Sequence, residues 1–232
     1  MNRRIRHHVN PLNFRHEPDP IDWSEAFARP QQPLEVEIGP GKARFLLERA
    51  RRCPEINIVG LEIREPMVER LNKLIAEAGL DNARGVTCNA NISLVRLFAE
   101  DSVERAYVHF PDPWFKKRHH KRRVIKTPLL DDLARILIEG GEFHFATDFE
   151  AYAEEALELI GRHPAYGEPT RCEAPFGILS DREAWHRSQD DPIYRYLFRV
   201  HGSRLPREES AGATARAGDD RPADAVDAEP PR

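Results

Sequence analysis

The chain has little cysteine and no long apolar run. Its 232 residues include three cysteines, Cys53, Cys88 and Cys172, and none of them belongs to a CxxC pair. So sparse and odd a set predicts a reducing compartment in which the thiols serve as small apolar side chains. No window approaches the roughly 20 apolar residues of a membrane span, and the charged N-terminus is not followed by the apolar stretch of a signal peptide. We therefore expect a cytoplasmic protein without a membrane segment or a metal site.

Neither sign of charge is in strong excess, but the charges are unevenly placed. The formal net charge is −4, from 35 Lys and Arg against 39 Asp and Glu. Residues 1–33 form a largely irregular basic arm, which carries Arg3, Arg4, Arg6, His7, His8, Arg15 and His16. Residues 203–232 contain five Arg, seven Asp or Glu and no aromatic residue, so this acidic, Ala- and Pro-rich tail is predicted to be disordered. Residues 34–202 are expected to form one domain.

Within this domain, apolar strands and amphipathic helices alternate five times. Strands are predicted at 34–38, 56–62, 84–88, 103–110 and 142–147, and helices follow them from residues 42, 65, 92, 127 and 149. Thr127 is expected to cap the fourth helix, with Pro128 in its first turn and Gly140-Gly141 at its end. Residues 193–200 are predicted to form a further strand. The alternation predicts an α/β fold, a doubly wound, mostly parallel sheet with helices on both faces.

In such sheets ligands bind beyond the carboxyl ends of the strands. The first of these ends carries Glu37, Gly39 and Gly41, where the glycines allow a ligand close to the backbone. A dinucleotide site would have a third glycine where Arg44 stands. Three alternatives are a turn without ligand, an NAD site, and a site for S-adenosylmethionine, whose sulfonium is attracted to a carboxylate.

The next strand ends offer two further cofactor candidates. Glu62 is placed to accept hydrogen bonds from the ribose hydroxyls of an adenosine-type cofactor. Asn89 is placed to meet the adenine edge, although it is equally suited to be a turn residue.

The segment 108–126, VHFPDPWFKKRHHKRRVIK, combines an acid, aromatics and dense positive charge. Six Lys or Arg and two His fall within residues 116–123, a density that neutralises phosphates, although a solvated charge run is the usual interpretation. Trp114 and Phe115 are suited to stacking on bases, and Trp114 is equally suited to core packing. Asp112, fixed between two prolines, is either a helix cap or salt-bridge partner, or the group that holds a target base.

Together these motifs resemble a known family. FPDPWxKKRHxKRR, preceded by VEIGPGK and GLEI and followed by ATD, is similar to the bacterial tRNA (guanine-N7-)-methyltransferases over about residues 34–200. The resemblance implies a Rossmann-like class I methyltransferase fold with a seven-stranded sheet and S-adenosylmethionine as cofactor. It also implies methylation of N7 of guanine 46 in the tRNA variable loop.

The resemblance also assigns roles to individual residues. Asp112 is implied to be catalytic and, with Glu37, Gly39, Gly41, Glu62, Asn89 and Ala90, to bind the cofactor. The implied substrate-binding residues are Lys116, Asp148, Ser180, Asp181, Arg182 and Glu183. The implied RNA contacts are Arg118, His119, His120, Lys121, Arg122 and Arg123.

Three residues depart from the family pattern, and one has an alternative role. Asn89 stands where many relatives have Asp, Ser180 where Thr is usual, and Arg182 where an aromatic is usual. We expect altered packing around the guanine rather than lost activity. Asp148 is also suited to cap the helix that begins at Phe149.

Two other functions compete with this interpretation. An amino methyltransferase acting on adenine or cytosine uses a D-P-P-Y/W-like loop at the same place in the fold. A non-catalytic RNA-binding module with an inactive cofactor pocket is the alternative from another class. Either a monomer or a homodimer is compatible with the sequence.

Overall fold

The computed structural model describes residues 9–14 and 17–201, and these contain one seven-stranded sheet. The strands are β1 (Leu34–Ile38), β2 (Asn57–Glu62), β3 (Ala83–Thr87), β4 (Val103–His109), β5 (Leu137–Thr147), β6 (Thr170–Arg171) and β7 (Tyr194–Arg199). Their order is β3-β2-β1-β4-β5-β7-β6, and β7 runs antiparallel to both its neighbours, whereas the other pairs are parallel. The predicted doubly wound sheet is confirmed.

Seven α-helices accompany the sheet in this part of the chain. They are α1 (Trp23–Ala26), α2 (Arg44–Arg52), α3 (Glu65–Glu77), α4 (Ala90–Leu97), α5 (Thr127–Ile136), α6 (Glu150–Gly161) and α7 (Asp181–Ser188). Short 3₁₀ turns occur at Pro11–Asn13, Lys117–Arg122 and Pro175–Gly177. Because the chain turns from β1 toward β2 and later returns to β4 on the other side, the sheet has a switch point between β1 and β4.

Glycine in β2 brings two helices directly onto the sheet. A Cβ atom added at Gly60 would lie 2.6 Å from Leu46 Cδ1 and 2.9 Å from Leu71 Cδ2, so α2 and α3 pack against the bare backbone. On the opposite face α4, α5 and α6 bury a larger apolar cluster that includes Leu94, Leu133 and Phe145. The helices on both faces therefore fix the carboxyl ends of the central strands.

The prediction that Gly140-Gly141 ends a helix is wrong. Helix α5 ends at Ile136 and the chain enters β5 at once, with both glycines inside the strand. Gly140 has φ +73°, and a Cβ at Gly141 would lie 2.8 Å from the Ile138 carbonyl oxygen. The β4–β5 register shifts here, so the glycines accommodate a bulge rather than a helix end. The predicted cap is also displaced, because Thr127 is already helical and Lys126 precedes the helix.

The face of the sheet beneath α2 and α7 carries a buried polar row. Glu35 is fully buried, bonded to Arg49 at 2.6 and 2.9 Å and to the Tyr107 hydroxyl at 3.0 Å. Side chains alternate along a strand, so Glu37 and His109 follow on the same face, nearer the carboxyl edge. This row delivers titratable groups to the place where the ligand site is expected.

The seven basic residues named for the predicted arm lie outside the described residues, as does the predicted tail from residue 203; the seven are Arg3, Arg4, Arg6, His7, His8, Arg15 and His16. The described part of the arm packs on the domain: Trp23 donates its indole N–H to the Leu97 carbonyl at 2.6 Å and stacks on Phe98. In the range that the structure covers, no helix is long and apolar enough to cross a membrane, and no group of three or more His, Cys, Asp or Glu is arranged to hold a metal ion.

Candidate active site at the carboxyl edge of the sheet

A cavity of about 650 Å³ opens at the carboxyl ends of β1 to β4, and its size suits a small-molecule ligand. It brings together most of the predicted cofactor and substrate residues. Those lining it are Glu37, Gly39, Gly41, Glu62, Asn89, Ala90, Asp112, Ser180, Asp181 and Arg182, and one predicted RNA contact, Arg122, lines it with them. Since β3, β2, β1 and β4 are consecutive in the sheet, Asn89, Glu62, Glu37 and Asp112 follow one another along its edge.

Glu37 is a buried acid with one unused oxygen. Its Oε1 lies 3.4 Å from His109 Nδ1, and Oε2 has no hydrogen-bond partner among the described residues. Burial, reinforced by the charge of Asp181, raises the pKa of Glu37 to about 8. Burial also lowers the pKa of His109 well below its ordinary value, so that the imidazole is neutral. A cationic ligand at Oε2 would compensate the unpaired oxygen and favour the ionised acid.

The turn after β1 leaves open backbone beside this acid. Gly39 and Gly41 have φ of +76° and +58°, a backbone conformation that residues with a side chain rarely adopt. The Gly39 N–H donates to the Leu61 carbonyl at 2.8 Å, which ties the turn to β2. The Arg44 N–H at the start of α2 donates to Asp181 Oδ2 at 3.3 Å, so the first turn of α7 covers this loop.

Glu62 is held by an arginine that sequence reasoning missed. Arg64 donates to both Glu62 carboxylate oxygens, through Nε at 3.0 Å and Nη2 at 2.7 Å. The hydrogen bond to Glu62, followed by the charges of Glu62 and Asp112, raises the pKa of Arg64. Arg64 thus lies between two acids that line the cavity. Its place two residues after Glu62 gave no sign of this in the sequence.

Asn89 caps a helix at the cavity wall. Its Oδ1 accepts from the Asn91 N–H at 3.2 Å at the start of α4, and its Nδ2 donates to the Pro11 carbonyl at 3.1 Å. Pro11 itself lines the cavity, so the described part of the arm reaches the site. Ala90 is the first residue of α4.

Asp112 stands on a strained loop. Phe110 and Trp114 have φ of +49° and +47°, conformations that cost about 1–3 kcal/mol each for such residues. The Phe110 N–H donates to the Ala146 carbonyl at 2.7 Å, and its ring stacks on His186 at 5.6 Å. These backbone conformations and contacts define the path of the loop away from the sheet. The loop holds Asp112, which is half-buried, at the cavity.

The basic run is divided between surface and interior. Lys116, Lys117, Arg118 and Lys121 are exposed, whereas His119, His120 and Arg122 are half-buried. Arg123 is buried: it donates to the Pro113 carbonyl at 2.8 Å, pairs with Glu155 and lies over the Tyr152 ring. Arg123 therefore anchors the loop from beneath, and the other residues of the run form its outer side. Lys116 does not line the cavity.

Helix α7, which the sequence analysis did not predict, carries the late substrate residues. Ser180 caps it by accepting from the Glu183 N–H at 3.2 Å. Arg182 is exposed at the cavity, but Glu183 points away, buried against Arg195 and 3.1 Å from Arg187. Glu183 lines a second cavity of about 400 Å³ behind the helix.

His186 links α7 to the rest of the edge. It lies 3.3 Å from Asp148 and 2.9 Å from Asp191, which places Asp148 beside α7 rather than in the cavity lining. Phe149 is the residue that immediately precedes α6, and no side chain caps the helix there. The capping role considered for Asp148 is therefore not seen.

The fold and the site together define a class I, Rossmann-like methyltransferase. The solved structure of the 16S rRNA methyltransferase KamB has a similar fold. It is 16% identical, with a TM-score of 0.55, and the match covers 77% of this chain and 91% of that one. The aminoglycoside resistance methyltransferase NpmB1 is similar at 17% identity with a TM-score of 0.52, over 77% and 90% of the two chains. At such identities the likeness concerns the fold.

Sequence similarity is more specific. A family model described as "Putative methyltransferase" matches residues 31–196. The tRNA (guanine-N(7)-)-methyltransferase of Synechococcus sp. (strain JA-3-3Ab) is 41% identical over 84% of this chain and 85% of its own length. That of Trichormus variabilis is 37% identical over 84% and 95%. The chain belongs to the tRNA (guanine-N7-)-methyltransferase family.

Proposed function

We propose that this protein transfers the methyl group of S-adenosylmethionine to N7 of a guanine in tRNA, guanine 46 of the variable loop being the expected target. The observation that carries the proposal is the position of Asp112. Its loop separates a cavity edged by Glu37, Glu62 and Asn89 from an exposed basic surface. A tRNA is too large to enter the cavity, so only one extruded base has to reach it.

The residues present fit the cofactor. The unpaired Oε2 of Glu37 suits a cationic group, and the open backbone at Gly39 and Gly41 admits a close approach. Glu62, buried at the end of β2, is placed to accept hydrogen bonds from ribose hydroxyls once Arg64 gives way or shares its oxygens. When bound, S-adenosylmethionine supplies an electrophilic methyl group on a sulfonium.

The chemistry asks the protein for orientation. Guanine N7 has a free lone pair at neutral pH, so no proton has to be removed before attack. In an in-line displacement most of the acceleration comes from holding the reacting atoms in line. We assign Asp112 to accept a hydrogen bond from the guanine N1–H or amino group and thereby fix the base. A general-base role is not needed.

We propose that the exposed basic residues hold the tRNA backbone. The surface is formed by Lys116, Lys117, Arg118 and Lys121, with His119, His120 and Arg122 half-exposed beside them, while Arg123 keeps the loop in place. Because tRNA is the proposed substrate, the cytoplasm is the expected location. The largely irregular structure of the basic arm and the disorder of the acidic tail remain predictions from the sequence.

Replacing Lys121 by Ala is expected to weaken tRNA binding and to reduce the salt dependence of binding by roughly 0.9 in the slope of log K against log salt, because one phosphate contact is lost. The rate of methyl transfer from the bound complex should change little. Filter binding at several salt concentrations measures the slope. Lys73, an exposed lysine on α3, provides the control: Lys73→Ala should leave the slope unchanged. Equal slopes for both variants would remove Lys121 from the RNA surface.

The function is tested by incubating unmodified tRNA with the protein and S-adenosylmethionine and identifying the product by nucleoside mass spectrometry. 7-Methylguanosine is expected. N6-methyladenosine or a methylated cytidine would instead identify an amino methyltransferase. A folded protein that takes up no cofactor in calorimetry and forms no product would favour the non-catalytic alternative.

A further inference from the structure

One large aromatic side chain at the cavity has no role in the mechanism so far. Trp185, on α7, is 54% exposed. The other exposed large apolar residues of the described ranges are Leu12, Ile92, Val95, Phe115 and Phe176, and none of these lines the cavity, whereas Trp185 does. An indole left open to water at the rim of the site is expected to have a ligand surface to cover.

Packing contacts connect Trp185 with the loop that carries Asp112. Its ring meets His186 edge-on, with centroids 4.7 Å apart at 77°. His186 in turn lies between Asp148 and Asp191 and stacks on Phe110, two residues before Asp112. Helix α7 and the Asp112 loop therefore form one packed unit. The indole and the carboxylate therefore belong to the same wall of the cavity.

The second tryptophan at the cavity is already engaged. The guanidinium of Arg122 lies 4.9 Å from the Trp114 ring centroid, and His119 meets the same ring edge-on at 5.9 Å. Trp114 is also only half-exposed. Trp185 thus offers the more accessible aromatic face to a base brought against Asp112.

Methyl transfer changes the charge of that base. The lone pair of guanine N7 forms the new N–C bond, the C–S bond breaks with its electron pair going to sulfur, and no proton moves. The positive charge of the sulfonium therefore passes to the guanine ring. A cationic ring is attracted to the face of an indole more strongly than a neutral one.

We propose that Trp185 stacks on the target guanine and holds the N7-methylated, cationic base more tightly than the unmethylated one. This rests on the proposed function for the identity of the base. Asp112 fixes the edge of the guanine, and Trp185 fixes its plane. The same indole then makes the methylated tRNA slow to leave.

Fluorescence titration tests the stacking directly. With S-adenosylhomocysteine present, 7-methylguanosine monophosphate is expected to quench the indole fluorescence of the wild type at lower concentrations than guanosine monophosphate. Trp23 and Trp114 also emit, so the quenching due to Trp185 is the part lost in Trp185→Leu. A wild type that shows no preference between the nucleotides, or a preference that survives in Trp185→Leu, overturns the proposal.

Steady-state kinetics with tRNA show whether position 185 needs an aromatic ring or only an apolar side chain. Trp185→Phe should stay close to wild type, whereas Trp185→Leu, which stays apolar but has no aromatic face, should lose roughly 5- to 150-fold in kcat/KM for tRNA. The affinity for S-adenosylmethionine and the Tm should be unchanged in both. Equal activity of the Leu and Phe variants overturns the proposal. A wild type that makes no 7-methylguanosine overturns the proposed function instead, and the nucleotide titration still decides on stacking.

Discussion

Replacing Asp112 by Ala is expected to lower kcat for methyl transfer by about 100-fold, because a hydrogen bond to an ionised group contributes roughly 1.5–3 kcal/mol and each 1.4 kcal/mol is a factor of about ten. The affinity for tRNA should fall only slightly, since the exposed basic residues hold the backbone independently. Single-turnover rates at saturating tRNA and cofactor measure the chemical step without product release.

The Asn variant separates positioning from proton transfer. Asp112→Asn keeps one acceptor oxygen at the same place, so an intermediate rate with the pH profile of the wild type is expected. If Asp112 acted as a general base, the Asn variant would be as slow as the Ala variant and would lose the acidic limb of the profile.

Two controls are needed to attribute a lower rate of Asp112→Ala to the loss of the contact with the guanine. Asp112 lies close enough to Arg64 to raise the pKa of the guanidinium, so removing Asp112 also changes the electrostatic surroundings of the Arg64–Glu62 pair in the cofactor site. Calorimetry with S-adenosylmethionine on Asp112→Ala reports that directly. Asp81, an exposed aspartate paired with Arg29, gives a matched substitution remote from the cavity, and Asp81→Ala should turn over normally. Normal turnover in Asp112→Ala would remove Asp112 from the mechanism.

Apolar periodicity was enough to predict the sheet, and the ends of its strands were enough to bring Glu37, Glu62, Asn89 and Asp112 to one cavity. Strand ends in a parallel sheet meet at the same edge, so placement there follows from topology alone. Helix α7 was not predicted, because it lacks the apolar periodicity that marks the other elements. Its buried side chains are Glu183 and His186, which bind other polar groups, so no apolar stripe marks it.

A sequence also gives no direct sign that two residues of the same type have different surroundings in the fold. Arg123 belongs to a run of eight basic residues, yet it is buried because Glu155, Tyr152 and the Pro113 carbonyl surround it. Gly140 and Gly141 illustrate the same limit. A glycine pair after a helix is a usual end signal, and only the register shift between β4 and β5 reveals that here it belongs to a strand.

The free protein should be less stable at high pH because of Glu37. Its folded pKa, about 8, is above the ordinary value of 4.5, so the folded state holds more protons than the unfolded state between these values. Stability is therefore lost as pH rises through this window. Glu37→Gln, which cannot ionise, should raise the Tm of the ligand-free protein at about pH 8 and change it little at about pH 5.

The same substitution is expected to weaken S-adenosylmethionine binding by roughly 10- to 150-fold above about pH 8, because a hydrogen bond from the ammonium group of the cofactor to an ionised carboxylate is lost. Below pH 8 the wild type must release the Glu37 proton to form that bond, so its advantage over Glu37→Gln should shrink up to about tenfold per pH unit. Calorimetry from about pH 6 to 9 gives the ratio of the two dissociation constants, in which any titration of the cofactor itself is common to both proteins. Asp181→Asn should move the midpoint to lower pH, because the charge of Asp181 helps to raise the pKa of Glu37. A ratio that stays constant with pH would show that Glu37 does not meet the positive charge of the cofactor.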